Sequence, residues 1–273
     1  MATRLAVLGD IHGNINALDA ALADIKKHRP DRLAITGDLL MSGPRPAEVV
    51  ERVQKLHADG ALVVAGNTDI AVADFDYAAA FPWMEDVPSS YRAAAEWAHD
   101  QLSDDQLDWL RGLPSERRQW AVDTLILVCH GSPGSITAGL PTDLDPTVTV
   151  ERVTRTDARV IACGHTHIAD VRELGRKLLV NPGSCGYAFD GDPGAGWALI
   201  TVPDAPESNA AAGDDLADED EDDDDGPSDM ALPEATLFRV KYDTTVAADE
   251  VAARGLPGDV YRAATIRAGR LIR

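Results

Sequence analysis

Cysteine is scarce in this sequence: Cys129, Cys163 and Cys185 are its only three among 273 residues. An odd number without zinc-site spacing argues against a disulfide framework and against a structural zinc knot. Cys129 and Cys163 fall within apolar, strand-like runs, so buried free thiols are expected, and reduced thiols suit a cytoplasmic address. There is no stretch of ~20 uninterrupted apolar residues, which excludes a membrane-spanning helix of ordinary composition. Met1 to Leu5 leads directly into an apolar stretch, without the longer apolar region and cleavage site of a signal peptide. A soluble, cytoplasmic protein is the resulting expectation.

Basic residues are also few, with 25 Lys and Arg against 46 Asp and Glu and a net charge of −21. The excess is local. Residues 204–234 hold fourteen acidic residues and no Lys or Arg, and taking those fourteen from −21 leaves −7 for the remainder. A net-negative surface opposes non-specific binding of nucleic-acid polymers, which depends on neutralising phosphates, while small nucleotides stay compatible. The run from Asp214 to Asp225, flanked by Ala, Gly, Pro and Ser, has too little apolar surface to order itself. A disordered acidic loop over about 204–234 is expected, either a solvated insertion or a docking element.

What is present is a regular alternation. Residues 4–9 read as a buried strand. Ile15, Leu18, Ala21, Leu22 and Ile25 follow at helical spacing, with Asn14 as N-cap. A strand at 31–37, a helix at 46–58 and a strand at 61–65 complete a parallel βαβαβ unit with right-handed crossovers. From about 70 to 112 the aromatics cluster and 89–101 reads as helix, which marks a small helical insertion. Its rings either stack on a ligand or pack as a lid. Strands are expected at 116–122, 124–129, 159–163, 171–174, 177–180, 197–202 and 235–242, with a helix near 146–156. The whole is read as one domain, 1–273.

Five short clusters each fall immediately after an apolar strand: Gly9-Asp10-Ile11-His12-Gly13-Asn14, Gly37-Asp38, Gly66-Asn67-Thr68-Asp69, Cys129-His130-Gly131 and Gly164-His165-Thr166-His167. Strand C-termini are where α/β sheets bind ligands, and the glycines let the backbone turn there. Carboxylate, amide and imidazole donors without thiolate suit hard-to-borderline divalent cations. Alternate residues of an extended turn point the same way, so Asp10 and His12 should face together, as should His165 and His167. Asp38 has two oxygens and is the natural bridge between two cations. Two such ions about 3.5–4 Å apart can hold a hydroxide for in-line attack on phosphorus. His28, His57 and His99 sit in helical stretches and are read as packing or surface residues.

This ordered set resembles the calcineurin-like metallophosphoesterase superfamily, in which Asp-x-His, Gly-Asp, Gly-Asn-His-Asp, His and Gly-His-x-His recur in that order. Gly43-Pro44, Asn181-Pro182-Gly183-Ser184, Tyr242-Asp243 and Gly255-Leu256-Pro257 suit its small bacterial and archaeal phosphodiesterase branch. The resemblance implies a four-layer α/β/β/α sandwich binding two divalent metal ions, with Mn favoured and Fe, Ni, Zn or Co compatible. It implies that Asp10, His12 and His167 hold one metal, that Asp38 bridges, and that Asn67, His130 and His165 complete the second. Asp38, Asn67 and His130 are the catalytic set it implies. It further implies a phosphodiesterase acting on a small phosphodiester or nucleotide. Phosphomonoesterase activity and a catalytically retired scaffold are the alternatives.

One position departs from the pattern: Thr68 stands where the family carries the histidine that protonates the leaving oxygen. A threonine hydroxyl does not supply a proton near neutral pH as an imidazole does, and such acid help is typically ~10²–10⁴-fold. Substrates with good leaving groups are favoured accordingly. Arg45 is either a phosphate contact or a helix-start surface residue. The 181–184 turn either brings backbone amides to the site or merely closes a hairpin.

Overall fold

The computed structural model describes residues 2–204 and 232–273. The expectation of a disordered acidic loop falls almost entirely outside them. In chain order the elements begin β1 (Thr3–Leu8), α1 (Ile15–His28), β2 (Arg32–Ile35), α2 (Pro46–Ala58) and β3 (Leu62–Val63). Four helices follow: α3 (Asn67–Asp74), α4 (Tyr77–Ala80), α5 (Ser89–Asp100) and α6 (Asp104–Arg111). Then come β4 (Glu116–Ala121), β5 (Thr124–Cys129), α7 (Pro146–Val153), β6 (Val160–Ala162), β7 (Ala169–Leu174) and β8 (Lys177–Pro182). The chain finishes with β9 (Ala195–Val202), β10 (Glu234–Val240), α8 (Thr244–Arg254) and α9 (Asp259–Ala268).

The strands form two mixed five-stranded sheets, ordered β10-β9-β1-β2-β3 and β4-β5-β6-β8-β7. β1, β2 and β3 pair in parallel, as do β5, β6 and β8. Alternation along the strands then builds the layers, because successive side chains leave opposite faces. Leu5 and Val7 of β1 pack with Ile126, Val128, Val160 and Ala162 of the second sheet. Ala6 and Leu8, on the other face of β1, pack with α1 and α2 through Leu18, Val49 and Val53. On the far side Leu127, Ile161 and Leu179 meet Leu140 and Val153. Both faces of each sheet are thus covered, and the order of layers is α/β/β/α.

Local chemistry sets the ends of these elements. The Asn14 side chain accepts a hydrogen bond from the Ala17 amide and caps α1, as its position suggested. β2 is shorter than the sequence implies, because Gly37 (φ 89°) and Asp38 (φ 50°) already turn away from the sheet. α8 and α9 were not anticipated: their buried faces are largely alanine, with Ala247, Ala248, Val251, Ala263 and Ile266 at the contact. Small residues give weak periodicity but allow close helix packing.

Candidate metal centre

All five clusters leave the C-terminal ends of strands, but the strands belong to two sheets. β1, β2 and β3 deliver Asp10, His12, Asp38 and Asn67, while β5 and β6 deliver His130, His165 and His167. The backbone reason differs from the sequence expectation. Asp10 (φ 52°), His12 (φ 52°), His165 (φ 70°) and His167 (φ 59°) are left-handed rather than extended, so simple alternation does not aim them. Asp38 shares the conformation. Non-glycine residues held there cost about 1–3 kcal/mol each, and such strain concentrates at functional sites. Interlocking loops hold it: the Asp10 and His12 amides donate to the Gly37 and Asp38 carbonyls, each at 3.0 Å.

The seven side chains meet in two groups that share Asp38. In the first, His12 Nε2 lies 3.1 Å from His167 Nε2 and 3.5 Å from Asp38 Oδ2, and His167 Nε2 lies 3.3 Å from Asp10 Oδ1. These four residues are buried, and one ligand atom from each falls within 4.8 Å of all the others. In the second, Asn67 Oδ1 is 3.0 Å from both His130 Nε2 and His165 Nδ1, which are 3.2 Å apart. Asp38 Oδ1 is 3.4 Å from His130 Nε2. The two oxygens of Asp38 therefore face different groups.

Tautomers make the case for cations. His12 Nδ1 lies 3.0 Å from the Leu40 carbonyl, His167 Nδ1 2.5 Å from that of Tyr187, and His130 Nδ1 2.7 Å from that of Thr36. A carbonyl only accepts, so each Nδ1 carries hydrogen and each Nε2 turns a lone pair into the site. Lone pairs 3.1 Å apart need a cation between them. In the metal-free protein a proton can serve: burial opposes the charge on His167, but the Asp10 carboxylate outweighs it and raises the pKa. Burial, and then the nearby His167, push His12 down to about 4. His165 is likewise lowered to about 4, by burial and then by His130. Two buried carboxylates among largely neutral imidazoles fit divalent cations, and no thiolate takes part.

Surrounding groups fix these donors. Asp69 is fully buried and receives the Leu39 amide at 2.8 Å and the Gly66 amide at 2.9 Å, tying the β2 loop to the start of α3. Burial, then the charge on Asp38, raises its pKa. Asp38 moves the other way: burial would raise it, but His130, His12 and His165 together hold it down. The Thr68 amide donates to Asp38 Oδ1 at 2.9 Å, while its hydroxyl donates to the Leu40 carbonyl. Ser184 Oγ donates to the Asp10 carbonyl at 2.7 Å, and Asn181 Nδ2 to Gly164 O at 2.8 Å. The 181–184 turn thus braces ligand loops through side chains. Arg45 is ion-paired with Glu250 and Glu48 and does not line the site cavity, so the surface reading holds.

A cavity of about 370 Å³ opens over the donors. His12, Asp38, Asn67, His165 and His167 form one part of its lining, and the helical insertion adds Phe81, Trp83 and Tyr91. Phe189 stacks on His167 with ring centroids 4.2 Å apart, and Trp83 meets His165 in a T-shaped arrangement with centroids 5.8 Å apart. Tyr187, Phe189, Tyr261 and Arg262 also line it and were not foreseen as site residues. No local motif marks them. The sole signal was the aromatic enrichment of the insertion, which pointed to Trp83 and Tyr91.

Residues 3–205 match the calcineurin-like phosphoesterase superfamily domain. The chain belongs to that superfamily. As a metallophosphoesterase it carries a buried Asp/His metal-binding cluster, and a phosphoester substrate follows from membership. It is 27% identical over 216 residues to an uncharacterised protein of Methanocaldococcus jannaschii, covering 73% of this chain and 83% of that one. A symmetrical bis(5'-nucleosyl)-tetraphosphatase of Psychromonas ingrahamii is 36% identical over 114 residues, 41% of this chain and 38% of that protein. Among solved structures, a metallophosphoesterase of Sphaerobacter thermophilus shares the fold with a TM-score of 0.67 at 24% identity, covering 98% and 100% of the two chains. A hypothetical protein of Pyrococcus horikoshii does so with a TM-score of 0.73 at 20% identity, covering 98% of each. No helix among the described residues is long and apolar enough to cross a membrane.

Proposed function

We propose that this metallophosphoesterase is a phosphodiesterase that hydrolyses small phosphodiesters or nucleotides with two divalent metal ions. The observation that carries the proposal is the division of donors around Asp38. Asp10, His12 and His167 would hold one ion and Asn67, His130 and His165 the other, with Asp38 between them. When bound, the ions supply Lewis acidity to the phosphoryl oxygens and activate water as nucleophile. Imidazole, carboxylate and amide donors accept Mn²⁺ as well as Fe, Ni, Zn or Co.

The chain's own residues then orient the ester. Asn67 lines the end of the cavity beside Asp38, with His130 buried behind them, and together they would position the phosphoryl group. Thr68 lines the same cavity, but its hydroxyl is already donated to the Leu40 carbonyl, so it is a poor proton source for the departing oxygen. That favours leaving groups that depart as weak bases, and it favours diesters over unactivated monoesters. About 370 Å³ suits a nucleotide-sized molecule rather than a polymer, in keeping with the acidic surface. The aromatic side chains of the cavity and the partial likeness to the symmetrical tetraphosphatase both support a nucleoside-bearing substrate.

The test compares bis(p-nitrophenyl) phosphate with p-nitrophenyl phosphate, first with metal-stripped protein and then with added Mn²⁺. Metal-dependent cleavage of the diester in excess of the monoester is expected. A monoester preference would reassign the protein as a phosphomonoesterase, and two bound metals without cleavage of either would point to a scaffold.

A further inference from the structure

The cavity has a cationic end that the metal donors do not account for. Arg262, from α9, lines it although its side chain is only 8% exposed. Its Nη1 donates to the Pro257 carbonyl at 2.8 Å and to Asp259 Oδ1 at 3.0 Å, and its Nη2 donates to the Ser90 carbonyl. A guanidinium carries five N–H donors. Nε and the second hydrogen on Nη2 have no partner among the described residues.

Asp259 does not neutralise this cation alone, because it is shared. Arg254 pairs with the same carboxylate at 2.7 Å, donates to the Ser42 and Gly43 carbonyls at 3.1 and 2.8 Å, and lies over the Trp97 ring at 4.5 Å. Two buried arginines on one buried aspartate leave a surplus positive charge at the wall. An anion in the cavity would complete the pairing of this charge. The other arginine lining the cavity, Arg273, is exposed and has no comparable support.

Arg262 is also set apart from the metal centre. None of its hydrogen bonds or ion pairs involves a donor residue. Tyr187 lines the same cavity, with its ring 5.5 Å from that of His12, and packs against the α8–α9 cluster that carries Arg262. Arg262 therefore reaches the cavity from an element that carries none of the donors, and would meet a different group of a bound molecule than they do.

We propose that Arg262 forms a second anion subsite, which selects substrates carrying an additional phosphate or carboxylate beyond the ester that is cleaved. This rests on the phosphodiesterase reading and deepens it. Asp259 aims the guanidinium, and through Arg254 the same carboxylate braces the loop that follows Asp38. Catalytic loop and subsite are thereby held in one register by the α8–α9 hairpin.

The experiment compares two substrates on the full-length, Mn²⁺-loaded protein: thymidine 5'-(p-nitrophenyl phosphate) with and without a 3'-phosphate. In the wild type the 3'-phosphate should lower KM about 10- to 100-fold, the worth of a charge-assisted hydrogen bond to a buried cation. In Arg262→Gln that preference should vanish, the ratio of the two KM values falling to about one, with two metals retained. A purely structural role would shift both substrates alike. Should Arg262→Gln not fold, Arg262→Lys makes the same test, with the preference reduced. Equal KM values in the wild type, or an undiminished preference in the variant, would overturn the subsite. If neither substrate is cleaved, the phosphodiesterase reading fails by itself. Calorimetric binding of thymidine 3',5'-bisphosphate to wild type and variant then decides on Arg262, with equal affinities counting against it.

Discussion

At the scale of single residues, Asp38 is shared by both donor groups, with one oxygen toward His12 and the other toward His130. A neutral amide has one oxygen and no charge, so Asp38→Asn should reduce bound metal below two per chain. Activity should fall at least about 10²-fold, since even groups behind the ligands act on a 10–100-fold scale. Elemental analysis beside the kinetics checks this, and full retention of two metals would refute a bridging role. Thr68 invites the opposite change. Its backbone amide, not its side chain, holds Asp38, so Thr68→His keeps that contact while adding an imidazole at the cavity wall. Cleavage of monoesters with poor leaving groups should rise toward the ~10²-fold of general acid help. No gain over the wild type in a leaving-group series would show that protonation does not limit the rate.

At the scale of elements, the site depends on how closely the strand ends approach. Gly66 precedes α3 in an ordinary extended conformation, so φ does not demand glycine there. Proximity does: a Cβ at this position would collide with the amide and Oδ1 of Asp38. Gly66→Ala should therefore push Asp38 from its place, costing about 1–3 kcal/mol of stability, as overpacking does. It should also weaken metal binding at least tenfold. Thermal melts and metal titration measure the two effects separately. Unchanged metal affinity with a lowered melting temperature would mean that the loop relaxes without moving the carboxylate.

At the scale of the whole molecule, seven donors from five loops on two sheets converge only when the chain is folded. A metal that binds the folded state alone stabilises it by about 2.7 kcal/mol at one hundred times its dissociation constant. Added Mn²⁺ should therefore raise the melting temperature of metal-stripped protein, and a chelator should reverse the rise. Binding should also release protons. Burial opposes a charge on His167 but Asp10 raises its pKa, so it is the imidazole best placed to give one up, whereas His12 and His165, held near 4 by burial, are already neutral at pH 7. Calorimetry of metal binding in buffers of different ionisation enthalpy measures this release. A heat independent of buffer would show that no proton sits between His12 and His167.

The sequence alone marked the candidate donors that the fold brings together, because glycine-flanked Asp, Asn and His residues directly after apolar strands are local features. It also determined most of the strands and the parallel βαβαβ start, while the α/β/β/α layering was implied by the family resemblance that the motifs carry. The extent of α2 and the Asn14 cap were legible for the same reason, being set by neighbouring residues. Tertiary structure decided what depends on distant partners. The left-handed turns at Asp10, His12, Asp38, His165 and His167 are imposed by loops braced against one another, so an extended-turn argument could not find them. Arg262 enters the cavity only because the alanine-faced α8–α9 hairpin is tied to the β2 loop through Arg254, while Tyr187 and Phe189 come from the segment between β8 and β9, where Tyr187 packs on the hairpin and Phe189 on His167. The pairing of Arg254 and Arg262 with one aspartate links residues whose partners lie more than 150 positions away at Ser42, Gly43 and Ser90. Spacing along a chain carries no record of such contacts, because the fold alone sets which distant backbone carbonyls a buried guanidinium will meet.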